Sequence, residues 1–374
     1  MKIVLIGESY FPLRNGISSV MTMLAEGLVR KGFNVTVVTA YHVDRIVSEH
    51  NGVHIFQFKV AGNWISGISG EVRQFIDFID KGDWDIQHHH ACQNWTFDAL
   101  MNWYPVRKRP IIVTPHGFSS LNDSGWKSYF DRFREVLNHI DAVTCLSSTF
   151  EEVPYLKKLG YRHYFIIPNG VNIQEFESRL TCNLRKEWEI DKRYWVLNVS
   201  NHVGLKGHST LHYLAGKLPD MSVINIGKPI QTRRFNLDRM GIYSGCYYAC
   251  SIKEQLISNF QTRQCNRAIT VAAYKHANVF VLPSTREASP VVILEAMAAG
   301  LPWIAFDVGN VRDHEGGIIV NSKPAMVDAI RKLKNDPDFA RDLAERGKKY
   351  VRLKHDQEQV IEQYATLYES FQVK

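Results

Sequence analysis

The sequence has few cysteines and no long hydrophobic run. No stretch reaches the roughly 18 apolar residues that a helix needs to cross a bilayer. The opening MKIVLIGESYF has no cleavage-like site and is too short for a signal core. The six cysteines, at positions 92, 145, 182, 246, 250 and 265, form no compact disulfide framework. These absences predict a soluble, cytoplasmic protein with free thiols.

Common nucleotide-binding and metal-binding motifs are also absent. The loop RNGISS (14–19) is neither a G-x-G-x-x-G fingerprint nor a P-loop. Gly16 could let the backbone approach a ligand, and Ser18 or Ser19 could cap the next helix; a structural turn is an equal alternative. The histidines HHH (88–90) have no second ligand cluster, and neighbours on an extended segment point to opposite faces. The sequence therefore predicts no metal site.

The composition is that of a globular protein of about two domains. The chain has 374 residues, of which 45% are hydrophobic and 22% charged, and domains average roughly 150 residues. The net charge of +7 suits an anionic ligand or an anionic membrane surface. It is too diffuse to indicate nucleic-acid binding.

Short apolar runs alternate with helical patterns along the chain, as they do in parallel sheets covered by helices on both faces. Helices are predicted at 71–81, 95–103 and 126–139. The predicted strands are KIVLIG, NVTVVTA, VHIFQF, DIQHHH, PIIVTPHG, DAVTCLS and YFIIPNG, and then YWVLNVS, MSVINIG, NVFVLPS, PWIAF and GGIIV. This order predicts an α/β protein with two doubly wound domains facing a cleft, joined near residues 170–175. Ligands of such sheets bind beyond the carboxyl ends of the strands.

Two glutamates lie in STREASPVVILEAMAAGLP (284–302). Glu287 follows a predicted strand, and Glu295 lies in the first turns of a helix rich in small residues. A buried carboxylate is costly without a partner, and the hydroxyls of a sugar or a ribose would serve as that partner. The free N–H groups at the start of this helix suit a phosphate. The alternative is a solvated loop glutamate and a helix glutamate capped by Arg286.

Two other polar residues follow predicted strands. Lys206, in NVSNHVGLKGH (198–208), is a mobile cation just before a helix that begins near His208. His116 follows PIIVT, at the carboxyl end of its strand. The alternatives are a surface lysine beside a turn glycine and a structural histidine.

Together these segments resemble glycosyltransferase family 4, a group of retaining enzymes of the GT-B fold that use nucleotide sugars. Residues 279–305 are similar to the family's E-x7-E signature, and IIPNGVNIQEF (166–176) is similar to its PNGVD…F element. Lys206 and Gly207 stand where the family has Lys-Gly. Residues 11–39 match the opening of its acceptor domain, with Asn15-Gly16 in place of Gly-Gly. The order of four elements over essentially the whole chain makes this resemblance specific.

The resemblance implies a role for each candidate residue. Lys206 would hold the donor diphosphate, Glu295 would bind the nucleotide ribose, and Glu287 would face the donor sugar. His116 would lie near the donor sugar and the acceptor, and Gly16 would let the first loop approach the diphosphate. Phosphate would also be bound by backbone N–H groups around Ser289, Val291 and Val292. The implied catalytic residues are Glu287, His116 and Lys206.

The resemblance also implies the domain roles and the chemistry. Residues 1–172, with a C-terminal helix (about 355–374) that crosses back, would bind the acceptor, and residues 173–354 would bind the donor. Transfer would proceed with retention and without a metal or another cofactor, and a UDP-sugar is favoured over a GDP-sugar. A lysine and a helix dipole would then stabilise the leaving diphosphate.

One position departs from the family pattern. The family usually has an arginine where this chain has Asn201, a predicted donor-binding position. A missing charge of this kind would weaken donor binding by about 1.5–3 kcal/mol, unless His202, Arg286 or Arg233 replaces it. The segment 228–266 also fits the family poorly.

The sequence thus predicts a glycosyltransferase that acts on a glycan, lipid-linked or protein acceptor. The alternatives are a non-catalytic sugar-nucleotide-binding partner of a glycosyltransferase complex, and a GT-B epimerase acting on sugar nucleotides. The basic runs VRKRP (106–110) and LKKLGYRH (156–163) could contact the inner face of a membrane, or they could be ordinary solvated faces.

Overall fold

The computed structural model describes residues 1–106, 109–179, 182–190, 194–228 and 256–372. The chain divides into two compact units. Unit 1 comprises Met1–Gly170 and Gln357–Lys374, and unit 2 comprises Val171–Asp356. The sequence placed these boundaries at residue 172 and at about residue 355.

Every strand predicted from an apolar run forms in the structure. The strands of unit 1 are β1 (Lys2–Ile6), β2 (Asn34–Ala40), β3 (Glu49–His50), β4 (Val53–Phe58), β5 (Val60–Asn63), β6 (Gly67–Gly70), β7 (Ile86–His90), β8 (Ile111–Thr114), β9 (Ala142–Cys145) and β10 (Tyr164–Ile166). Those of unit 2 are β11 (Trp195–Val199), β12 (Ser222–Ile226), β13 (Phe260–Arg263), β14 (Val279–Leu282), β15 (Trp303–Phe306) and β16 (Gly317–Val320).

Helices connect most of these strands. Unit 1 contains α1 (Gly16–Arg30), α2 (Val72–Lys81), α3 (Trp95–Asp98), α4 (Lys127–Leu137), α5 (Glu152–Lys158) and the C-terminal α13 (Gln357–Glu369). Unit 2 contains α6 (Ile173–Glu177), α7 (Leu184–Glu187), α8 (His208–Lys217), α9 (Arg267–His276), α10 (Val291–Ala298), α11 (Lys323–Asn335) and α12 (Pro337–Lys354).

Each unit is built on one main sheet with a core on both faces. The strand order is β10-β9-β8-β7-β1-β2-β4-β3 in unit 1 and β13-β12-β11-β14-β15-β16 in unit 2. All pairings in these two sheets are parallel except that of β3 with β4. Ile3 and Leu5 of β1 enter one core, while Val4 and Ile6 enter the core on the opposite face. The doubly wound α/β class is confirmed.

The C-terminal helix α13 returns to unit 1, as predicted. Its Tyr364 and Tyr368 are fully buried in the core that also contains α1. Gly27 of α1 allows close packing, because a Cβ there would lie 2.7 Å from Cγ1 of Ile361. Arg30 of α1 also donates a 2.7 Å hydrogen bond to Glu358.

One local prediction was wrong, and another was confirmed only in part. The helix expected over 95–103 ends at Asp98, and irregular turns follow to a short 3-10 helix at Tyr104–Val106. The buried aromatic side chains of this segment are packed into the core, and this tertiary packing overrides helical continuity. The first helix begins with a capping box: the side chain of Asn15 accepts from the N–H of Ser18, and the hydroxyl oxygen of Ser18 accepts from the N–H of Asn15. The predicted Ser18 thus takes part in the cap, with Asn15 as the N-cap residue.

Candidate functional site

The carboxyl ends of the parallel strands of unit 2 bring Lys206 and Glu287 together. Lys206 follows β11 and Glu287 follows the adjacent strand β14. The ammonium Nζ of Lys206 lies 2.7 Å from Oε1 of Glu287; the side chain of Glu287 is largely shielded from solvent, and that of Lys206 is partly exposed. Two predicted site residues that are 81 positions apart in the sequence therefore form one ion pair.

Gly207 fixes the position of the lysine loop. It has a φ of +70°, which glycine adopts readily and other residues do not. A Cβ at this position would lie 2.6 Å from the carbonyl carbon of Pro283 and closer still to its oxygen. The N–H of Thr285 also donates to the carbonyl oxygen of Leu205 at 2.8 Å. The loop is thus held directly against the end of β14, beside Glu287.

The start of α10 presents backbone N–H groups at the same sheet edge. The first N–H groups of a helix have no intrahelical acceptor, and the N-cap residue Pro290 supplies no side-chain cap for those of Val291 and Val292. Asn310 donates to Oγ of Ser289 at 3.2 Å. Gly309 lets the loop before Asn310 pack closely against the backbone of Glu287, because a Cβ at Gly309 would lie 2.9 Å from the carbonyl oxygen of Glu287.

Glu295 lies in α10 with its carboxylate nearly buried. Its oxygen Oε1 accepts from the guanidinium of Arg267, and Oε2 accepts from the hydroxyl of Tyr274 at 2.9 Å. Arg267 in turn donates two hydrogen bonds to Glu175, at 2.9 and 2.7 Å. The sequence predicted ligand hydroxyls as partners of Glu295, and the structure adds two side chains of the protein, one on each oxygen.

Burial lowers the pKa of the Arg267 guanidinium, but the charges of Glu295 and Glu175 outweigh this effect and raise it above its ordinary value. Burial, followed by the neighbouring Glu295 charge, raises the pKa of the Tyr274 hydroxyl well above its usual range. Both groups therefore remain hydrogen-bond donors to Glu295 across the physiological pH range.

Asn201 links the loops that follow β11 and β12. Its side-chain oxygen accepts from the N–H of Lys228 at 3.0 Å. The loops lie close together, because a Cβ on Gly227 would lie 2.6 Å from the carbonyl carbon of Ser200. The exposed Lys228 is thus placed, through its backbone, beside the position where the family usually has an arginine.

The three substitutes predicted for that arginine differ in their environment. His202 is buried, with its ring 4.1 Å from that of His208. Arg286 is exposed. Arg233 lies outside the described residues, as do Cys246 and Cys250 and most of the segment 228–266.

In unit 1, the consecutive histidines alternate between the two faces of β7. His88 and His90 lie on one face with ring centroids 4.2 Å apart, while His89 contacts Tyr104 on the other. Nδ1 of His90 lies 3.0 Å from Nε2 of His116, which follows the adjacent strand β8. The predicted alternation is confirmed, and it connects one of the three histidines to the candidate residue His116.

Burial controls the protonation of these histidines. It lowers the pKa of His116 to about 4. It also lowers the pKa values of His88 and His90 well below their usual range, and the neighbouring imidazoles contribute to the same effect. His88 is held between the hydroxyls of Tyr368, at 2.6 Å, and Thr114, at 2.8 Å. The chain of rings beneath His116 is therefore neutral at physiological pH.

The loops after β7 and β8 contain several left-handed residues other than glycine, namely Ala91, Gln93, His116 and Ser120, with φ between +58° and +70°. Backbone strain of this kind is concentrated at functional sites in proteins. The two loops are joined by reciprocal hydrogen bonds of 2.6 Å between the side chain of Gln93 and the backbone of Ser119. This edge of unit 1 is therefore the best candidate for its functional surface.

Asp98 lies close to these loops and is almost completely buried. Its Oδ2 accepts from the N–H of Trp64 at 2.9 Å, in the turn between β5 and β6. Burial raises the pKa of Asp98 to about 7, while the hydrogen bond from Trp64 opposes the shift.

The remaining predicted features occupy ordinary surroundings. Gly16 is exposed, and a Cβ there would have no neighbour within 4 Å. In the basic run 156–163, Lys157 and Arg162 are exposed; residues 107–108 of the other basic run lie outside the described part. Within the described ranges, no group of three or more His, Cys, Asp or Glu could hold a metal ion. No helix in the same ranges is long and apolar enough to cross a membrane.

Sequence reasoning did not identify Lys228, Arg267, Tyr274 or Glu175. Lys228 could have been found, because it directly follows the predicted strand MSVINIG at the expected edge of the sheet. Arg267, Tyr274 and Glu175 are brought to the region of Glu295 by the packing of α6, α9 and α10. No spacing in the sequence indicates this packing.

Two sequence families match the chain. The family described as Glycosyltransferase Family 4 matches residues 14–175, and the family described as Glycosyl transferases group 1 matches residues 253–350. An uncharacterized glycosyltransferase of Methanocaldococcus jannaschii is 23% identical over 98% of both chains. N-acetyl-alpha-D-glucosaminyl L-malate synthase of Bacillus anthracis is 22% identical over 97% of this chain and 96% of its own.

Solved structures of glycosyltransferases share the fold. Sucrose-phosphate synthase from Thermosynechococcus elongatus superposes with a TM-score of 0.80 at 21% identity, covering 100% of this chain and 99% of its own. HepE of Anabaena in complex with UDP-glucose gives a TM-score of 0.76 at 17% identity, covering 99% and 100%. The two parallel-sheet units have the GT-B fold of these enzymes. The chain belongs to glycosyltransferase family 4.

Proposed function

We propose that the protein is a retaining, metal-independent glycosyltransferase that uses a nucleoside diphosphate sugar. The observation that carries this proposal is the ion pair between Lys206 and Glu287, which lies at the edge of unit 2 where α10 begins. A cation and free helix N–H groups together form an anion site. The donor sugar would be transferred to a glycan, lipid-linked or protein acceptor.

The donor would bind through three kinds of contact. Lys206 and the N–H groups of Val291 and Val292 would bind the diphosphate, and Glu295 would accept hydrogen bonds from the ribose. Glu287 would contact the hydroxyls of the donor sugar once Lys206 turns to the phosphate. UDP is the favoured nucleotide, and the HepE structures that share this fold contain UDP and UDP-glucose.

In the proposed reaction, the bond between the anomeric carbon and the diphosphate oxygen breaks, and the acceptor oxygen attacks from the same face. The proton of the acceptor hydroxyl moves to the departing phosphate oxygen. Configuration is retained because departure and attack occur on the same face of the sugar. Lys206 and the dipole of α10 would stabilise the negative charge that develops on the leaving group. His116, held by His90 as a neutral imidazole, would hydrogen-bond to sugar hydroxyls in unit 1.

The donor site needs a further cation. The described ion pairs join Lys206 and Arg267 to three carboxylates, those of Glu175, Glu287 and Glu295, so both cations are already paired within the protein. A nucleoside diphosphate is itself an anion. We propose Lys228 as this cation, because its backbone N–H is hydrogen-bonded to Asn201 and its side chain is exposed.

The proposal is tested by incubating the protein with UDP-, GDP- and ADP-sugars and measuring nucleotide release and ligand-induced thermal stabilisation. We expect stabilisation by one nucleotide and slow donor hydrolysis even without an acceptor. The anomeric configuration of any product would establish retention, and activity in the presence of EDTA would establish metal independence. The absence of stabilisation by every nucleoside diphosphate would contradict the donor-site assignment.

Two substitutions separate the roles of the glutamates. Glu295→Ala should weaken nucleotide binding by about tenfold or more, because it removes a charged hydrogen-bond acceptor. Glu287→Ala should lower turnover more than nucleotide affinity, since it contacts the sugar. Titration calorimetry and turnover assays on both variants measure this difference. Wild-type behaviour of both variants would show that the pair is ordinary surface charge.

A non-catalytic sugar-nucleotide-binding partner is the second candidate, and Asn201 in place of arginine is the feature that favours it. Such a protein would bind a nucleotide but would neither hydrolyse nor transfer the sugar. A sugar-nucleotide epimerase would instead convert one donor sugar into its epimer without releasing nucleotide. The same panel of donors, analysed by chromatography, distinguishes the three activities.

A further inference from the structure

The carboxylate of Glu295 has two hydrogen-bond partners and room for two more. A carboxylate offers about four acceptor positions, and Arg267 and Tyr274 each occupy one, on different oxygens. The side chain of Glu295 keeps 10% of its surface exposed, so it is not completely sealed from solvent. The two vacant positions match the two hydroxyl donors of a ribose.

The two partners are themselves held rigidly. Glu175 binds Arg267 through a bidentate pair, which fixes the plane of the guanidinium. Arg267 also lies over the ring of Phe176, 5.4 Å from its centroid. The buried ring of Tyr274 contacts those of Phe176 and Phe280. Neither partner can move freely, and therefore neither can the carboxylate between them.

We propose that Arg267, held by Glu175, and Tyr274 are positioning residues that orient Glu295 for two-point recognition of the ribose diol. This inference rests on the proposed binding of a nucleoside diphosphate in unit 2. It adds a specificity: the protein should distinguish ribonucleotides from 2′-deoxynucleotides and 3′-deoxynucleotides through the orientation of one carboxylate. Removing either partner would let the carboxylate rotate, and the second hydroxyl would then lose its acceptor.

A purely structural role for these residues makes a different prediction. Ion pairs that only joined α6, α9 and α10 would change stability and would affect all ligands alike. A positioning role changes the affinity ratio between UDP and 2′-deoxy-UDP, and it leaves the binding of pyrophosphate, which has no ribose, unchanged. The ratio is therefore the decisive measurement.

The experiment uses the full chain and titration calorimetry with UDP, 2′-deoxy-UDP, 3′-deoxy-UDP and pyrophosphate. The wild type should prefer UDP over each deoxynucleotide by about tenfold or more, the effect of one hydrogen bond to a charged group. Tyr274→Phe removes one oxygen atom and should reduce this preference to about threefold or less, with unchanged pyrophosphate affinity. Arg267→Lys keeps the charge but loses the planar fork, and it should act in the same direction.

Controls keep the test specific. Tyr350→Phe removes a hydroxyl that donates to the backbone oxygen of Asp313 elsewhere in unit 2, and it should leave the preference unchanged. If Arg267→Lys fails to fold, Tyr274→Phe and Glu175→Gln decide the question, since the latter releases Arg267 without altering Glu295.

The outcomes separate this inference from the proposed function. If Glu295→Gln abolishes the preference while Tyr274→Phe and Arg267→Lys keep it, the positioning role is wrong and the donor site stands. If Glu295→Gln also keeps the preference, Glu295 does not bind the ribose, and both assignments fall. If no nucleoside diphosphate binds to the wild type, the proposed function itself is wrong.

Discussion

Replacement of Gly207 by alanine should both destabilise unit 2 and displace the lysine loop. Alanine at a φ of +70° costs about 1–2 kcal/mol relative to a right-handed conformation. The new Cβ would begin 2.6 Å from the carbonyl carbon of Pro283, closer than the 3.0 Å that real Cβ atoms keep. Relieving such an overlap costs about 1–3 kcal/mol. The total loss of unfolding free energy is therefore about 2–5 kcal/mol.

Gly216 provides the matched control, since it lies in α8, the helix that Gly207 directly precedes. Its backbone φ is not positive, and a Cβ there would have no neighbour within 4 Å. Gly216→Ala should therefore stabilise the protein by about 0.5–1 kcal/mol, as alanine does in a helix interior. Calorimetric melting of the two variants should show shifts of opposite sign.

The same two variants test the link from the loop to the function. To relieve the overlap with Pro283, Gly207→Ala must shift either the lysine loop or Pro283. Because Lys206 directly precedes Gly207, a shift of the loop would displace its side chain from the site. Titration with UDP should show weakened binding in Gly207→Ala and wild-type binding in Gly216→Ala. The reasoning is refuted if Gly207→Ala melts no lower than Gly216→Ala and binds UDP with wild-type affinity.

Two further predictions concern charge. Lys228→Met should weaken UDP binding by about tenfold and reduce its salt dependence, whereas wild-type affinity in calorimetry would exclude Lys228 as the compensating cation. Asp98 has a folded pKa of about 7 against an ordinary 3.8. Between these values the unfolded chain releases this proton while the folded protein keeps it, so Asp98 lowers stability as pH rises from about 4 to 7. The melting temperature of Asp98→Asn should therefore fall less than that of the wild type over this pH range. Equal pH dependence of the two melting temperatures would contradict this prediction.

The strands could be predicted because most of them are continuous apolar runs. A buried parallel strand has both faces covered, so each of its residues contributes to the signal. β13 lacks this signal: only Phe260 of its four residues is buried, and it forms by pairing with β12 at the sheet edge. The hairpin of β5 and β6 was missed because its sequence is rich in glycine and polar residues.

The candidate site was predictable only in part, for a physical reason. Lys206 and Glu287 follow strands of one parallel sheet, and the carboxyl ends of such strands share an edge. The partners of Glu295 are brought to it by helix packing. Arg267 lies 28 positions before Glu295, and the sequence between them carries no signal of their contact. The substitution of asparagine for arginine at 201 was visible in the sequence, but the hydrogen bond that the N–H of Lys228 donates to Asn201 was not.

The hydrogen bond between His88 and Tyr368 has a consequence for synthesis on the ribosome. Domains generally fold from the N-terminus as they emerge, but unit 1 is interrupted by the whole of Val171–Asp356. His88 stays without its phenolic partner, and the core around α1 stays open, until α13 has emerged. Unit 2, although it is translated later, is therefore the first unit whose residues are all available for folding. The core of unit 1 that contains α1 and Tyr368 is completed last.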